Sequence, residues 1–196
     1  MQEATLPGLE RLRERLAEGV PSGGGDDDSA RRQWWAALAV LQDDLLLPLG
    51  DQAGVWLASP LPALYEPALL QRLQGWIWAP AELGDLLQAG PPALLPSAPP
   101  AVQTGGFERL PLLESDGTDP LLLVITPRLQ VALALVGPLG ARRLVVRFDP
   151  ATLSEALSLI DQRLQSTDPE QARRLRRAIQ ALGPLQSDEQ LAQRFW

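Results

Sequence analysis

The chain has 196 residues, a formal net charge of −7 and 45% hydrophobic residues; it contains no histidine and no cysteine, and every basic residue is arginine. That composition suits one globular domain with extensions. It excludes disulfides, thiolate and imidazole chemistry, Walker-type phosphate loops and Schiff bases, and its acidity argues against whole-surface binding to nucleic acid.

Leu9, Leu12 and Leu16 recur at i, i+3, i+7, which predicts a short helix with a narrow apolar seam, closed by Gly19. The seam has two readings: a helix resting on the domain, or a dimerising surface. "GVPSGGGDDDS" reads as an acidic, Gly-rich linker with solvated aspartates. Ser29 is the expected cap of the next helix, whose Trp34, Leu38, Leu41 and Leu45 share a face, with Trp35 off that stripe at an edge or interface.

From Gly54 the pattern becomes α/β. "VWLAS" reads as a strand, "EPALLQRLQ" as a helix with Pro67 in its first turn, "WIWAP" as a strand and "AELGDLLQ" as a short helix. A Pro-rich excursion from Gly90 to Gly106 follows. "FERLPL" then resumes extended structure, and "ESDGTDP" is a turn-rich connection.

"LLLVI" is a continuous apolar run, the mark of a central strand. In "QVALALV", Val131, Leu133 and Leu135 lie on one face and Ala132, Ala134 and Val136 on the other. "RRLVVRF" is a third, half-covered strand. The short turns between the three predict an antiparallel meander. Asp149 is placed to cap the following helix, with Pro150 at its first position and Phe148 stapled to Leu153. That helix carries Leu153, Ala156, Leu157, Ile160 and Leu164 on one stripe.

Beyond it, "DPEQARRLRRAIQAL" is a helix with Leu175, Ala178, Ile179 and Leu182 on one side. Arg173, Arg174, Arg176 and Arg177 flank that side, either solvated or facing an acidic partner or headgroups. "SDEQLAQRFW" opens with a capping box of Ser187 and Gln190 and starts an amphipathic run, which reads as the beginning of a helix leading into another module. The expected fold is α/β of the α+β type: a central, largely antiparallel sheet with a C-terminal β-β-β-α unit, flanked by N- and C-terminal helices. The organisation divides into 1–28 (helix and linker), 29–166 (central domain) and 167–196 (helical extension).

"GTDPLLLVITPRLQVALALVGPLGARRLVVRFDPATLSEAL" resembles the C-terminal part of the DICT sensory domain, named for diguanylate cyclases and two-component systems. The landmarks are Asp119-Pro120, Thr126-Pro127 and Phe148-Asp149-Pro150. "VWLASPLPALYEPALLQRLQGW" is similar to that family's first strand and helix. The resemblance spans roughly residues 54 to 165. It implies a non-catalytic input module of the sort placed N-terminal in cyanobacterial sensor histidine kinases, often near GAF domains. No ligand residue of the family carries over.

The function expected is therefore a sensory or interaction domain that biases an attached or partner signalling kinase module. The candidate ligand or partner surface is Trp56, Tyr65, Trp76 and Trp78 with Arg143 and Arg147, against the alternative that the tryptophans pack a core. The competing readings are a stand-alone scaffold or assembly protein dimerising through the Leu9–Leu16 seam and the terminal helices, and a hydrolase using Glu114, Asp116 and Asp119, which are expected to be solvated. No catalytic residue, cofactor or metal is expected. No run reaches the ~20 apolar residues of a membrane span and the N-terminus lacks a signal-peptide core, so the expected location is the cytoplasm.

Overall fold

The computed structural model describes residues 8–21, 25–60, 63–80 and 106–196. The expected short helix in "AELGDLLQ" and the Pro-rich excursion up to residue 105 lie outside the described residues.

Two short apolar strands, β1 (Val55–Ser59) and β2 (Gln74–Ala79), flank α3 (Pro67–Arg72), which starts at the proline expected to open it. β3 (Gly106–Pro111) follows, and then the meander β4 (Leu121–Ile125), β5 (Gln130–Val136) and β6 (Arg143–Arg147). The six strands form one sheet in the order β3-β2-β1-β4-β5-β6. The pairs β3–β2 and β2–β1 are parallel, and β1–β4, β4–β5 and β5–β6 are antiparallel. The sheet is thus mixed, with an antiparallel majority. β4 and β5 are buried along their whole length, as continuous apolar runs require in a sheet covered on both faces.

Helices cover each face. On one lie α1 (Leu9–Ala17), α4 (Pro150–Thr167) and α5 (Pro169–Ala181), which pack Leu9, Leu12, Leu16, Ile160, Leu164 and Leu175 against Leu57, Trp76, Leu123 and Ala134. On the other lie α2 (Asp27–Val40), a π-helical turn (Leu41–Leu46), α3 and α6 (Glu189–Arg194). These pack Trp34, Leu38, Leu41, Leu45, Leu69 and Leu191 against Trp56, Leu122, Val131 and Leu133. The alternation in β5 sorts as read, Ala132 and Ala134 to the first face and Leu133 and Leu135 to the second.

The Leu9–Leu16 seam lies inside this chain's own core, so the dimerising reading of it is set aside. Segments 1–28 and 167–196 supply α1 and α5 to the same core as 29–166. No helix among the described residues is long and apolar enough to cross a membrane.

Several caps differ from expectation. Helix α2 begins three residues earlier than a Ser29 cap implies: Asp26 accepts from the Ser29 amide at 2.7 Å, leaving Asp27 and Asp28 in the first turn, where the helix dipole favours them. Asp188, rather than Ser187, caps α6, accepting from the Gln190 amide at 3.0 Å, while the Ser187 hydroxyl donates to Gln130. Phe148 and Leu153 fall on opposite sheet faces and form no staple; Phe148 instead meets Phe195 edge-on, with ring centroids 5.5 Å apart. Asp149 does cap α4, accepting from the Thr152 amide at 3.0 Å.

Candidate functional site

The expected aromatic surface does not exist as a surface. Trp56, Trp76 and Trp78 are all buried, and their register divides them: Trp56 pairs across from Gly75, and its side chain enters the α2 face, while Trp76 and Trp78 enter the α4 face. Trp76 donates its indole N–H to Gln171 at 2.9 Å, and Trp78 lies under the Arg163 guanidinium, 5.7 Å from the ring centroid. Gly75 exists for Trp56, because a Cβ there would come within 2.2 Å of the indole ring.

Arg143 and Arg147 are equally committed. Arg143 donates to the Val20 carbonyl at 3.2 Å, and Arg147 to the carbonyls of Leu16, at 2.7 Å, and Glu18. They satisfy carbonyl groups at and just beyond the end of α1, where positive charge is favoured. Tyr65 alone of the six is well exposed, at 49%, and it lies beside Trp35 on the α2 side of the sheet.

The acidic trio also departs from the solvated state expected of it. Glu114 is exposed, but Asp116 is fully buried. Its Oδ2 accepts from Arg163 Nη2 at 2.6 Å and from the Leu113 amide at 2.7 Å. Its Oδ1 accepts from Arg163 Nη1 and from the Leu9 amide at 3.1 Å. Arg13 donates to the Asp116 carbonyl and pairs with Glu10 at 3.1 Å. Burial pushes the Asp116 carboxyl up, yet Arg163 and the two amides outweigh it and hold the group below the usual carboxylate range. Burial pulls the Arg13 guanidinium below its ordinary value, with Glu10 opposing. This cluster is a clasp between α1, α4 and the 3₁₀ turn at Glu114–Asp116.

Asp119 leads to a different place. It forms an ion pair with Arg142 Nε at 2.6 Å, and Arg142 Nη1 reaches Asp27 at 3.2 Å. Asp27, one of the aspartates expected to be solvated, also accepts from the Gly140 amide at 2.9 Å and the Arg142 amide at 3.3 Å. It thereby ties the start of α2 to the β5–β6 turn. The Gly140 amide first, and then Arg142, hold the Asp27 carboxyl below its ordinary value. Asp119 raises the Arg142 guanidinium in turn.

This ion-pair chain forms one side of a cleft of about 410 Å³, completed by Arg31, Trp34, Trp35, Thr118, Pro120 and Leu135. The Trp34 indole N–H is buried and has no hydrogen-bond partner among the described residues. Trp35 is 48% exposed and lies tilted against Tyr65, with ring centroids 6.5 Å apart. The Tyr65 backbone is held by Gln42 in the π-helical turn, whose side-chain oxygen accepts from the Tyr65 and Glu66 amides at 2.9 and 3.0 Å. Such a turn widens the helix and is often found at functional sites. Among the described residues no group of three or more acidic side chains is placed to hold a metal ion. What the cleft offers is donors, an aromatic wall and a small apolar floor.

The sequence reading did not assemble this cleft. Its one local signal was Trp35, off the apolar stripe of α2.

The family model for DUF8628, a domain of unknown function, matches residues 10–196. The chain belongs to the DUF8628 family. No curated protein and no solved structure matches it significantly. Among the described residues the match takes in every strand and, apart from Leu9, every helix, so the cleft and all of the clasp except the Leu9 amide lie within the DUF8628 domain.

Proposed function

We propose that the chain is a non-catalytic recognition module, the input region of a two-component signalling protein of the DICT kind its landmarks resemble, set ahead of a sensor histidine kinase. The observation that carries the reading is the state of the ionisable groups around the cleft. General acid–base catalysis asks for a carboxyl poised near the working pH. Here Asp27 is held below its ordinary value and shares Arg142 with Asp119. Of the other acids the hydrolase reading named, Asp116 is consumed by the clasp and Glu114 is exposed. A cleft of about 410 Å³ lined by Arg31 and the Trp34 and Trp35 rings instead suits a small ligand with a planar apolar body and an acceptor group such as a carboxylate. Because Asp27 bridges α2 to the β5–β6 turn, a ligand that favours one setting of that bridge would shift the position of α2.

Thermal melting against a panel of small aromatic carboxylic acids and phosphate esters tests the binding part. The expected result is a rise in melting temperature with at least one ligand class, lost in Arg31→Ala and in Trp35→Ala. A panel without shifts, or shifts that persist in both variants, overturns it. Reading the gene and its neighbours tests the signalling part. A phospho-acceptor helix and ATP-binding domain, in the same frame or in an adjacent gene, is the expected finding; their absence from both removes the kinase assignment.

A further inference from the structure

The outward face of α2 carries a pattern that its position in the fold does not explain. Arg32, Trp35 and Ala36 are exposed, Ala39 and Val40 are half-exposed, and Asp43 in the following π-helical turn is exposed. At 3.6 residues per turn, Arg32, Ala36 and Ala39 form one ridge, with Trp35 on one flank and Val40 on the other, and Asp43 follows in the wider π-helical turn that continues it. The apolar part of this ridge faces solvent. Within the chain, α2 uses other side chains for its ion pairs: Arg31 with Asp28, and Asp27 with Arg142.

The pattern is complementary to itself. Arg32 and Asp43 stand equally far, in sequence, from the level between Ala37 and Leu38, and so do Ala36 and Ala39. We propose that two copies of the chain associate through this face, α2 against α2, antiparallel about a two-fold axis at that level. Each Arg32 then faces the partner's Asp43, twice over, because a two-fold interface repeats every contact. Ala36 faces the partner's Ala39, and side chains this small allow the two helices to approach closely. The two Trp35 rings come together on one flank, each extended by its own Tyr65, and supply the large aromatic anchors on which interface energy concentrates. On the other flank Val40 and Ala36 border an apolar groove of about 370 Å³ that continues to Leu144, Val146 and Phe195. The cleft at the head of α2 opens on the Trp35 flank, so both clefts of the pair open on one side.

This inference stands apart from the signalling proposal and needs no ligand. The test is sedimentation velocity or light scattering on the full chain at tens of micromolar. Arg32 and Asp43 are exposed, so exchanging their charges leaves the fold intact, which circular dichroism checks. The wild type sediments as a dimer. Arg32→Asp and Asp43→Arg each place like charges opposite one another at both ends of the interface and shift the equilibrium toward monomer by about tenfold or more. The two singly exchanged chains, mixed in equal amounts, recover a dimer that contains one of each. A strictly monomeric wild type overturns the proposal, as does a dimer indifferent to both exchanges. A mixture that stays monomeric also overturns it, because the antiparallel register requires that pairing.

Discussion

Asp116 and Arg163 form a bidentate ion pair with both side chains withdrawn from water, at 0% and 2% exposure. The same carboxylate accepts the first amide of α1, so one side chain fixes α4, the 3₁₀ turn and the start of α1. Removing one partner of a buried pair strands the other, which costs about 3–5 kcal/mol. Asp116→Asn preserves the shape and deletes the charge. Urea denaturation is expected to show a loss of that size, and Arg163→Met a comparable one, because it leaves the buried Asp116 carboxylate without its guanidinium partner. A loss within about 0.5 kcal/mol, the scale of ordinary surface substitutions, would mean the clasp contributes nothing.

Acid stability follows from the same carboxyl. Its folded-state pKa lies below the unfolded value of about 3.9, so its contribution is complete above that pH and disappears as pH falls through the folded-state value. Stability measured from pH 6 downward should decline in the wild type, and part of that decline should be missing in Asp116→Asn. Parallel profiles for the two proteins would assign the acid limb to other groups.

Gly75 and Trp56 make a second local test. The β-carbon of Gly75→Ala would sit 2.2 Å from ring atoms of a buried indole. Overpacking of this kind costs about 1–3 kcal/mol. The melting temperature should fall, and in the background of Trp56→Leu the same alanine should cost less. Equal costs in the two backgrounds would show that the clash is relieved elsewhere.

The cap of α4 rests on Asp149, whose other charged neighbour is Arg147, 4.0 Å away. Asp149→Ala removes the acceptor of the Thr152 amide and should cost about 1 kcal/mol, read as a shift of the urea midpoint with unchanged slope. Asp149→Ser should recover most of it.

The parts of the fold legible in the sequence are those set by local period. Alternation in β5, the apolar run of β4, the stripe of α4 and the Asp149-Pro150 cap all depend on neighbours within a few residues. The clasp was not legible, because Asp116 meets a partner 47 residues ahead and an amide 107 residues behind. Within its own turn it looks like any solvated aspartate. The tryptophans misled for a related reason: aromatic residues on strands suit both a core and a binding face, and the helices covering each face decide between them. Asp27 was hidden among three consecutive aspartates, of which only tertiary contact with the β5–β6 turn singles one out.

The anchoring of α1 has a consequence for synthesis. The helix leaves the ribosome early, but Arg147, which donates to its Leu16 carbonyl, is translated 131 residues later. At about 5–20 residues per second, the leucines of that helix wait roughly 7 to 26 seconds before that arginine is made. A nascent chain with so long a delay presents an apolar segment that trigger-type chaperones can hold. Mutations that weaken the late arginines should therefore reduce the yield of folded protein in the cell more than they reduce the stability of the protein once folded.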